Sequence, residues 1–509
     1  MKETFYITTP IYYTSANFHI GHCYTTIIAD AIARYNRLKG LDVFFQTGTD
    51  EHGQKVEERA ALAGKTPKQF VDDIVIDAKD LWEKLNINYD CFIRTTDEKH
   101  VKAVQKIFKK LYDSGDIYKG EYQGKYCTPC EAFWTETQLV EGKCPDCGRE
   151  VHLVKEDTYF LRLSKYQERL EKYINEHPKF IQPVSRKNEM VNNFLKPGLE
   201  DLCVSRTSFK WGIPVDFDPN HVVYVWIDAL SNYITSLGYA SDDTSMFDKY
   251  WPADLHLVGK EIVRFHTIVW PILLMALGLE QPKQIIGHGW LVINNGEKIS
   301  KSSGNYKDPR EYIDNFGVDA LRYFVLREVP LGNDGNFSEE AIISRTNSDL
   351  ANNLGNLVNR TIGMINKYFD GKVTISKNSI GPDIDLKSAI VNTVNKVDIK
   401  MSEYKVNEAI EEIMESLKRC NKYIDETSPW LLAKDSENKE RLNDILYNLV
   451  ESIRICSVLL TPFMPTTSEK IFKQIGAEKF DYKSISIFGE ISEYMVTSEP
   501  EPLFKRIEE

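Results

Sequence analysis

Thr4-Phe5-Tyr6-Ile7-Thr8-Thr9-Pro10-Ile11, the stretch from His22 to Leu38, and Asp42-Val43-Phe44-Phe45-Gln46 decide the fold between them. The first is β-branched and aromatic, and reads as a strand that Pro10 ends. The second carries Ile27, Ile28, Ala31, Ile32 and Tyr35 at helical spacing and closes at Gly40. The third is a short buried strand running into the polar loop Thr47-Gly48-Thr49-Asp50-Glu51-His52-Gly53. Strand, helix, strand is a βαβ unit, which predicts an α/β fold with a doubly wound, Rossmann-like parallel sheet. Ligands of such sheets sit at the carboxyl ends of the strands.

Strand-and-helix character returns at 221–237 and 254–278, so one sheet is split by an insertion longer than an ordinary loop. From about residue 346 the pattern is purely helical, at 349–369, 405–426 and 441–460, and reads as an antiparallel bundle. The expected division is 1–117 for the first half of the split sheet and 118–221 for the insertion. The second half follows at 222–305, a linker region at 306–345, the bundle at 346–480 and a C-terminal segment at 481–509.

The 509 residues are 42% hydrophobic, enough for several cores, and the net charge of −12 argues against a protein that coats phosphate backbones unselectively. The N-terminus lacks a signal-peptide pattern, and the best apolar run, 267–279, is too short to span a membrane and contains Pro271. The expectation is a cytoplasmic protein without membrane contact. Four of nine cysteines form Cys127-Thr-Pro-Cys130 and Cys144-Pro-Asp-Cys147, two bidentate turns whose thiolates can close a tetrahedral, structural zinc site. The bland alternative is four unrelated thiols or two disulfides. Cys23, Cys91, Cys203, Cys420 and Cys456 are scattered and read as free thiols.

Two short motifs suit a nucleotide. His19-Ile20-Gly21-His22 stands at a helix start, where unpaired N–H groups and the positive dipole end favour phosphate, and Gly21 lets a ligand approach the backbone. Lys298-Ile299-Ser300-Lys301-Ser302 brackets small hydroxyl residues with point charges for a polyphosphate. Either motif alone could be a surface histidine pair or a solvated charged loop. Together they resemble the two signatures of class I aminoacyl-tRNA synthetases, with Ile299 where that family has methionine. Further blocks resemble the methionyl branch of the family: Thr8 to Tyr13, Thr47 to Gly53, Tyr224-Val225-Trp226-Ile227-Asp228-Ala229-Leu230, and Gly259-Lys260-Glu261-Ile262 with His266.

The resemblance implies a methionine–tRNA ligase whose substrates are L-methionine, ATP with Mg2+, and both elongator and initiator tRNA(Met). His19, His22, Lys298 and Lys301 would stabilise the reacting phosphates, and Gly21, Glu261 and Ser302 would complete the ATP site. Asp50 would hold the substrate ammonium. Ile11, Tyr13, Trp226, Ala229, Leu230, Tyr233, Ile262 and His266 would line the side-chain pocket, because a thioether lacks a strong polar handle and is chosen by aromatic walls. One zinc knuckle matches the single-zinc branch. Asn356 and Arg360, four apart on one helical face, and Trp430 after Pro429 look like anticodon-reading elements, the alternatives being a solvated face and a core plug.

Other readings remain open here. Leucyl, isoleucyl and valyl enzymes share both signatures but need an editing domain that the insertion looks too short to hold. A cysteinyl enzyme would grip its substrate with zinc in the active site. A non-catalytic tRNA-binding relative would not need Asp50 or the signature side chains. The chain leaves no room after its bundle for an appended tRNA-binding barrel, so a monomer is expected.

Overall fold

The computed structural model describes residues 3–508 apart from 129–131, 135–138, 146, 294–295, 299–306 and 376–377. Its centre is a six-stranded sheet in the order Cys91–Arg94, Asp42–Asp50, Thr4–Tyr13, Leu255–Gly259, Ile285–His288, Ile181–Gln182. Every pairing in it is parallel. The first half of the chain builds outward from Thr4–Tyr13 on one side, and the later strands build outward on the other. The order therefore reverses between Thr4–Tyr13 and Leu255–Gly259, and a ligand crevice opens beyond the carboxyl ends of those two strands.

Two departures from the sequence reading have local causes. Pro10 does not end the first strand, which continues to Tyr13; the register shifts between Thr8 and Ile11, and this irregularity accommodates a residue with no N–H to give to the ladder. The span 118–221 is not insertion throughout. Ile181–Gln182 joins the central sheet beside Ile285–Ile286, flanked by the helices Gln167–Glu176 and Val184–Met190. The inserted part proper is a four-stranded antiparallel sheet of Ala132–Trp134, Ile117–Cys127, His152–Leu161 and Leu202–Cys203, with a second small sheet formed by Pro214–Val215, Asp218–Val223 and Ser205–Arg206.

Beyond the sheet, the helices Pro309–Phe316 and Val318–Glu328 lead into the bundle of Asn356–Phe369, Gly381–Ser402, Val406–Thr427, Lys439–Leu460 and Pro465–Ile475. The C-terminal segment folds back on it. Glu493–Met495 pairs with Lys372–Thr374, and Asn347 exchanges two 2.9 Å hydrogen bonds with the backbone of Ile507. One continuous apolar core runs from the first helix, Ile20–Leu38, through Val318–Glu328 into the bundle. No described helix is long and apolar enough to cross a membrane.

Candidate active site

The first strand delivers the chain to the helix Ile20–Leu38, and His19 is its N-cap. The cap is reciprocal: Gly21 N–H donates to His19 Nδ1 at 3.0 Å, and His19 N–H donates to His22 Nδ1 at 3.0 Å. A backbone N–H needs an unprotonated acceptor. Each ring that caps in this way is therefore neutral and carries its proton on Nε2. The two rings lie 3.9 Å apart between centroids, and a Cβ at position 21 would fall 2.8 Å from His19 Cε1, so any larger residue there would displace the capping ring. One turn on, Thr25 donates to Nε2 of His288, whose Nδ1 donates to Gly289 O at 2.7 Å. Burial pushes the His288 pKa down, consistent with a neutral ring. The cap, His288 and the end of Leu255–Gly259 thus meet at the crevice.

Asp50 ends the second strand directly opposite Tyr13 and is only 7% exposed. The turn after it is held at every residue. Glu51 is fully buried and takes Arg94 bidentately at 2.6 and 2.9 Å; its carbonyl accepts the Trp211 indole N–H, and Gly53 N–H donates to Trp211 O. His52 donates from Nδ1 to Asp228 at 2.7 Å, and His100 donates from Nε2 to the other Asp228 oxygen at 2.8 Å. Burial alone would raise the Asp228 pKa; His52 and His100 overcome that and hold it below the ordinary carboxylate range. Asp228 lies on the helix Val225–Thr235, which also carries Trp226, Ala229, Leu230 and Tyr233. This one buried carboxylate ties the Asp50 turn to the pocket helix.

Among the residues expected to line a side-chain pocket, Trp226 stacks on Phe265 with centroids 3.4 Å apart and planes 9° from parallel. His266 donates from Nδ1 to Ile262 O at 2.9 Å, which leaves Nε2 to accept the Tyr233 hydroxyl at 2.7 Å. Leu230 and Tyr233 are buried in the same cluster against which Trp226 and Ile262 pack, Ala229 is buried on the same helix, and Ile11 is half-buried on the first strand. The wall is aromatic and uncharged, because burial pushes the His266 pKa from 6.5 down to about 4. Between those two values the unfolded chain holds a proton that the folded chain does not. Stability therefore falls as pH is lowered through that window, by about 3 kcal/mol at most from this group. Urea midpoints between pH 7 and pH 4.5 should fall less steeply in His266→Gln than in the parent; equal slopes would contradict the assignment.

Glu261 accepts the Trp290 indole N–H at 2.7 Å, and Lys260 pairs with Asp334 at 2.7 Å while lying over the Trp290 ring. Arg206, 2% exposed, lies between the rings of Tyr126 and Tyr224, 4.5 Å from each. Lys298 is placed by its backbone in Glu297–Lys298, paired with Leu291–Ile293. Lys301, Ser302 and Cys130 lie outside the described residues. Cys127, Cys144 and Cys147 bring their sulfurs within 4.8 Å of one another, with Cys127 and Cys147 3.5 Å apart. In the bundle Asn356 is exposed, Arg360 is half-buried, and Leu354 and Leu357 turn into the core. Trp430 is 41% exposed beside Leu431, so it is not a core plug.

Sequence reasoning singled out neither Phe265, Trp290, Arg206 and His288 nor the Asp228–His52–His100 clamp. The signal for Asp228 was present: a carboxylate set among Trp226, Ile227, Ala229 and Leu230 has to be buried, and a buried carboxylate has to be paired.

The family described as tRNA synthetases class I (M) matches residues 5–153 and 147–362, and the anticodon-binding domain of tRNA ligases matches 383–502. The chain belongs to the methionyl class I tRNA synthetases. It is 58% identical over 507 residues to the methionine–tRNA ligase of Clostridium acetobutylicum, covering 100% of this chain and 79% of that one. It is 59% identical over 488 residues to that of Clostridium perfringens, covering 96% and 76%. Mycobacterium tuberculosis methionyl-tRNA synthetase in complex with methionyl-adenylate superposes with a TM-score of 0.94 at 40% identity, covering 99% of each chain, and its apo form with 0.88 at 38%, covering 100% and 99%. As a methionyl-type synthetase the chain has the expected catalytic sheet and helical anticodon-binding domain.

Proposed function

We propose that the chain charges tRNA(Met) with methionine in two steps. A methionine carboxylate oxygen attacks the α-phosphorus of ATP, the bond to the β-phosphate breaks, and pyrophosphate leaves; Mg2+ entering with ATP would offset part of the phosphate charge. A 3′-terminal ribose hydroxyl of the tRNA then attacks the carbonyl carbon of the adenylate, loses its proton, and AMP departs. Similarity to methionine–tRNA ligases over 96–100% of this chain and 76–79% of theirs carries this reading. It gives each part of the crevice work by position and charge, with no protein nucleophile. His19 and His22 present Nε2–H donors to the phosphates, Lys298 and Lys301 hold the departing pyrophosphate, and Glu261 takes the ribose. Asp50 pairs with the ammonium, and the Trp226–Phe265 and Tyr233–His266 walls take the thioether. Exchange of pyrophosphate into ATP, run with each of the twenty amino acids, tests it: methionine alone should support fast exchange, and an equal rate with leucine or isoleucine would overturn it.

Cys127, Cys144 and Cys147 fit three ligand positions of one zinc ion, and Cys130, outside the described residues, is the fourth ligand the sequence offers. Four thiolates at about 2.3 Å from a tetrahedral ion stand about 3.8 Å apart, close to the Cys127–Cys147 separation. An ion held there would be structural, tying together a part of the insertion where Trp134, Leu139 and Val151 pack on Cys127 and Cys144. Cys144→Ser should lower zinc content and loosen the insertion to protease, since metal free energy here is also folding free energy. A parent protein purified without zinc and equally protease-resistant would refute it.

A further inference from the structure

The helix that presents Asn356 and Arg360 is not regular where it reaches them. Over Thr346–Gly355, immediately before Asn356, it is wound with i→i+5 hydrogen bonds, while Glu339–Arg345 and Asn356–Phe369 on either side are α-helical. Such wide turns are uncommon and concentrate at functional sites. Their geometric effect is large, because one residue of extra winding rotates everything after it by about 100°. If the segment tightened to ordinary α-helix, Asn356 and Arg360 would face elsewhere.

Side chains from two other elements grip this segment: the Tyr323 hydroxyl donates to Asp349 at 2.8 Å near its start, and Asn421 holds it near its end, next to Asn356. Asn421 Nδ2 donates to Asn353 Oδ1 at 2.9 Å and to Asn353 O at 3.2 Å, and also to Leu417 O on its own helix at 3.2 Å. Two of these acceptors are backbone carbonyls, so the amide orientation is fixed by its partners. Asn353 Nδ2 in turn donates to Met414 O at 3.3 Å. Asn421 and Met414 belong to Val406–Thr427, the helix that ends at Ser428 in a left-handed turn and delivers Trp430. The clip therefore joins the two segments assigned to the anticodon, and it does so at the irregular winding that aims one of them.

We propose that Asn421 is a positioning residue for anticodon reading: through Asn353 it holds the wide-wound segment in the register that sets Asn356 and Arg360 against Trp430. This rests on the anticodon role given to those three residues above. Asn421 itself needs no contact with RNA.

The test measures kcat/KM for aminoacylation of two tRNA(Met) transcripts, one with anticodon CAU and one with its first anticodon base replaced, alongside pyrophosphate exchange. The proteins are the full chain, Asn421→Ala, Asn421→Asp, Arg360→Ala, and the Asn421→Ala/Arg360→Ala double variant. Asn421→Asp keeps the shape but offers only acceptors to the carbonyls, so it should be at least as damaging as alanine. Loss of one such clip should lower kcat/KM on the CAU transcript about tenfold, with little change on the substituted transcript and none in pyrophosphate exchange. Discrimination between the transcripts should shrink by the same factor, and in the Arg360→Ala background the Asn421 change should add little. Equal losses on both transcripts would mean that Asn421 only supports the fold, and unchanged discrimination would remove it from recognition; either overturns the proposal. Should Arg360→Ala also leave discrimination unchanged, it is the anticodon assignment that fails.

Discussion

His19→Asn should slow methionyl-adenylate formation by about 10²–10³, the usual cost of removing one preorganised donor from a developing phosphoryl charge, while the protein stays folded. Asparagine is among the best N-caps, and its Oδ1 can accept the Gly21 N–H that His19 Nδ1 accepts now. It is too short to supply what the rest of the imidazole supplies, the Nε2–H beyond the cap. The substitution therefore separates two duties that one ring performs: ending the helix and donating to phosphate. The His22 half of the reciprocal cap, with His19 N–H on Nδ1, remains available. Single-turnover adenylate formation should fall, methionine affinity measured without ATP should not, and the denaturation midpoint should stay close to that of the parent. A rate within threefold of the parent would mean that the Nε2–H is not used in the transition state. A collapse of stability would mean that the cap, and not the phosphate, was the reason for histidine.

What was legible in the sequence was whatever repeats with a regular period or stands in a compact block. The helix expected from His22 to Leu38 begins two residues earlier, because its start is set by a cap made of histidines rather than by the usual serine or aspartate. The parallel order followed from strand, helix, strand. Ile181–Gln182 was not legible because a two-residue strand before a proline has no period at all; only its partner Ile285–Ile286 makes it a strand. The clamp on Asp228 escaped because His52 and His100 come from distant segments, and a contact 128 to 176 residues apart leaves no local pattern. The same holds for the Trp226–Phe265 stack, which joins two helical segments across the pocket.

The wide-wound segments were invisible for a different reason. Five to ten residues are too few to show a period of their own between regular turns, so Phe265–Val269 and Thr346–Gly355 read as plain helix. Yet the first holds His266 in the proposed methionine pocket, and the second ends where Asn356 begins. In each case the irregular winding re-aims side chains that a regular helix would have pointed elsewhere, and neighbouring groups stabilise it: the His266 bond to Ile262 O in one, the Asn421 clip in the other. The residues proposed for methionine and for the anticodon thus both depend on backbone geometry that composition and periodicity do not encode.

Arg322→Met is expected to cost about 3–5 kcal/mol of stability, the range for removing one partner from a buried ion pair. Arg322 and Asp30 are both fully buried, and NH2 meets Oδ2 at 2.7 Å. The rest of the guanidinium is spent on carbonyls: Nε on Phe463 O, NH1 on Leu85 O and NH2 on Pro462 O, at 3.1 to 3.2 Å. Those partners belong to three parts of the molecule. Asp30 lies on the helix that His19 caps, Leu85 follows the helix Pro67–Lys84 of the catalytic sheet, and Pro462 and Phe463 follow the longest-buried bundle helix, Lys439–Leu460. Methionine fills similar apolar volume but leaves the carboxylate and three carbonyls without this donor. Asp30 keeps Arg34 at 2.8 Å and the Asn88 N–H at 2.8 Å, so the loss should fall toward the lower end of the range. Adding Asp30→Leu to Arg322→Met removes the buried charge but leaves Arg34 and the Asn88 N–H without their acceptor, so the double variant should recover little of the loss. Chemical denaturation followed by separate probes in the catalytic sheet and in the bundle also reads the joint. The parent should unfold in one transition, since the two halves share a core, and the variant should show the bundle melting apart from the sheet. A loss below 1 kcal/mol with coincident transitions would mean that the apolar core alone joins the halves and that this buried pair contributes nothing to holding them together.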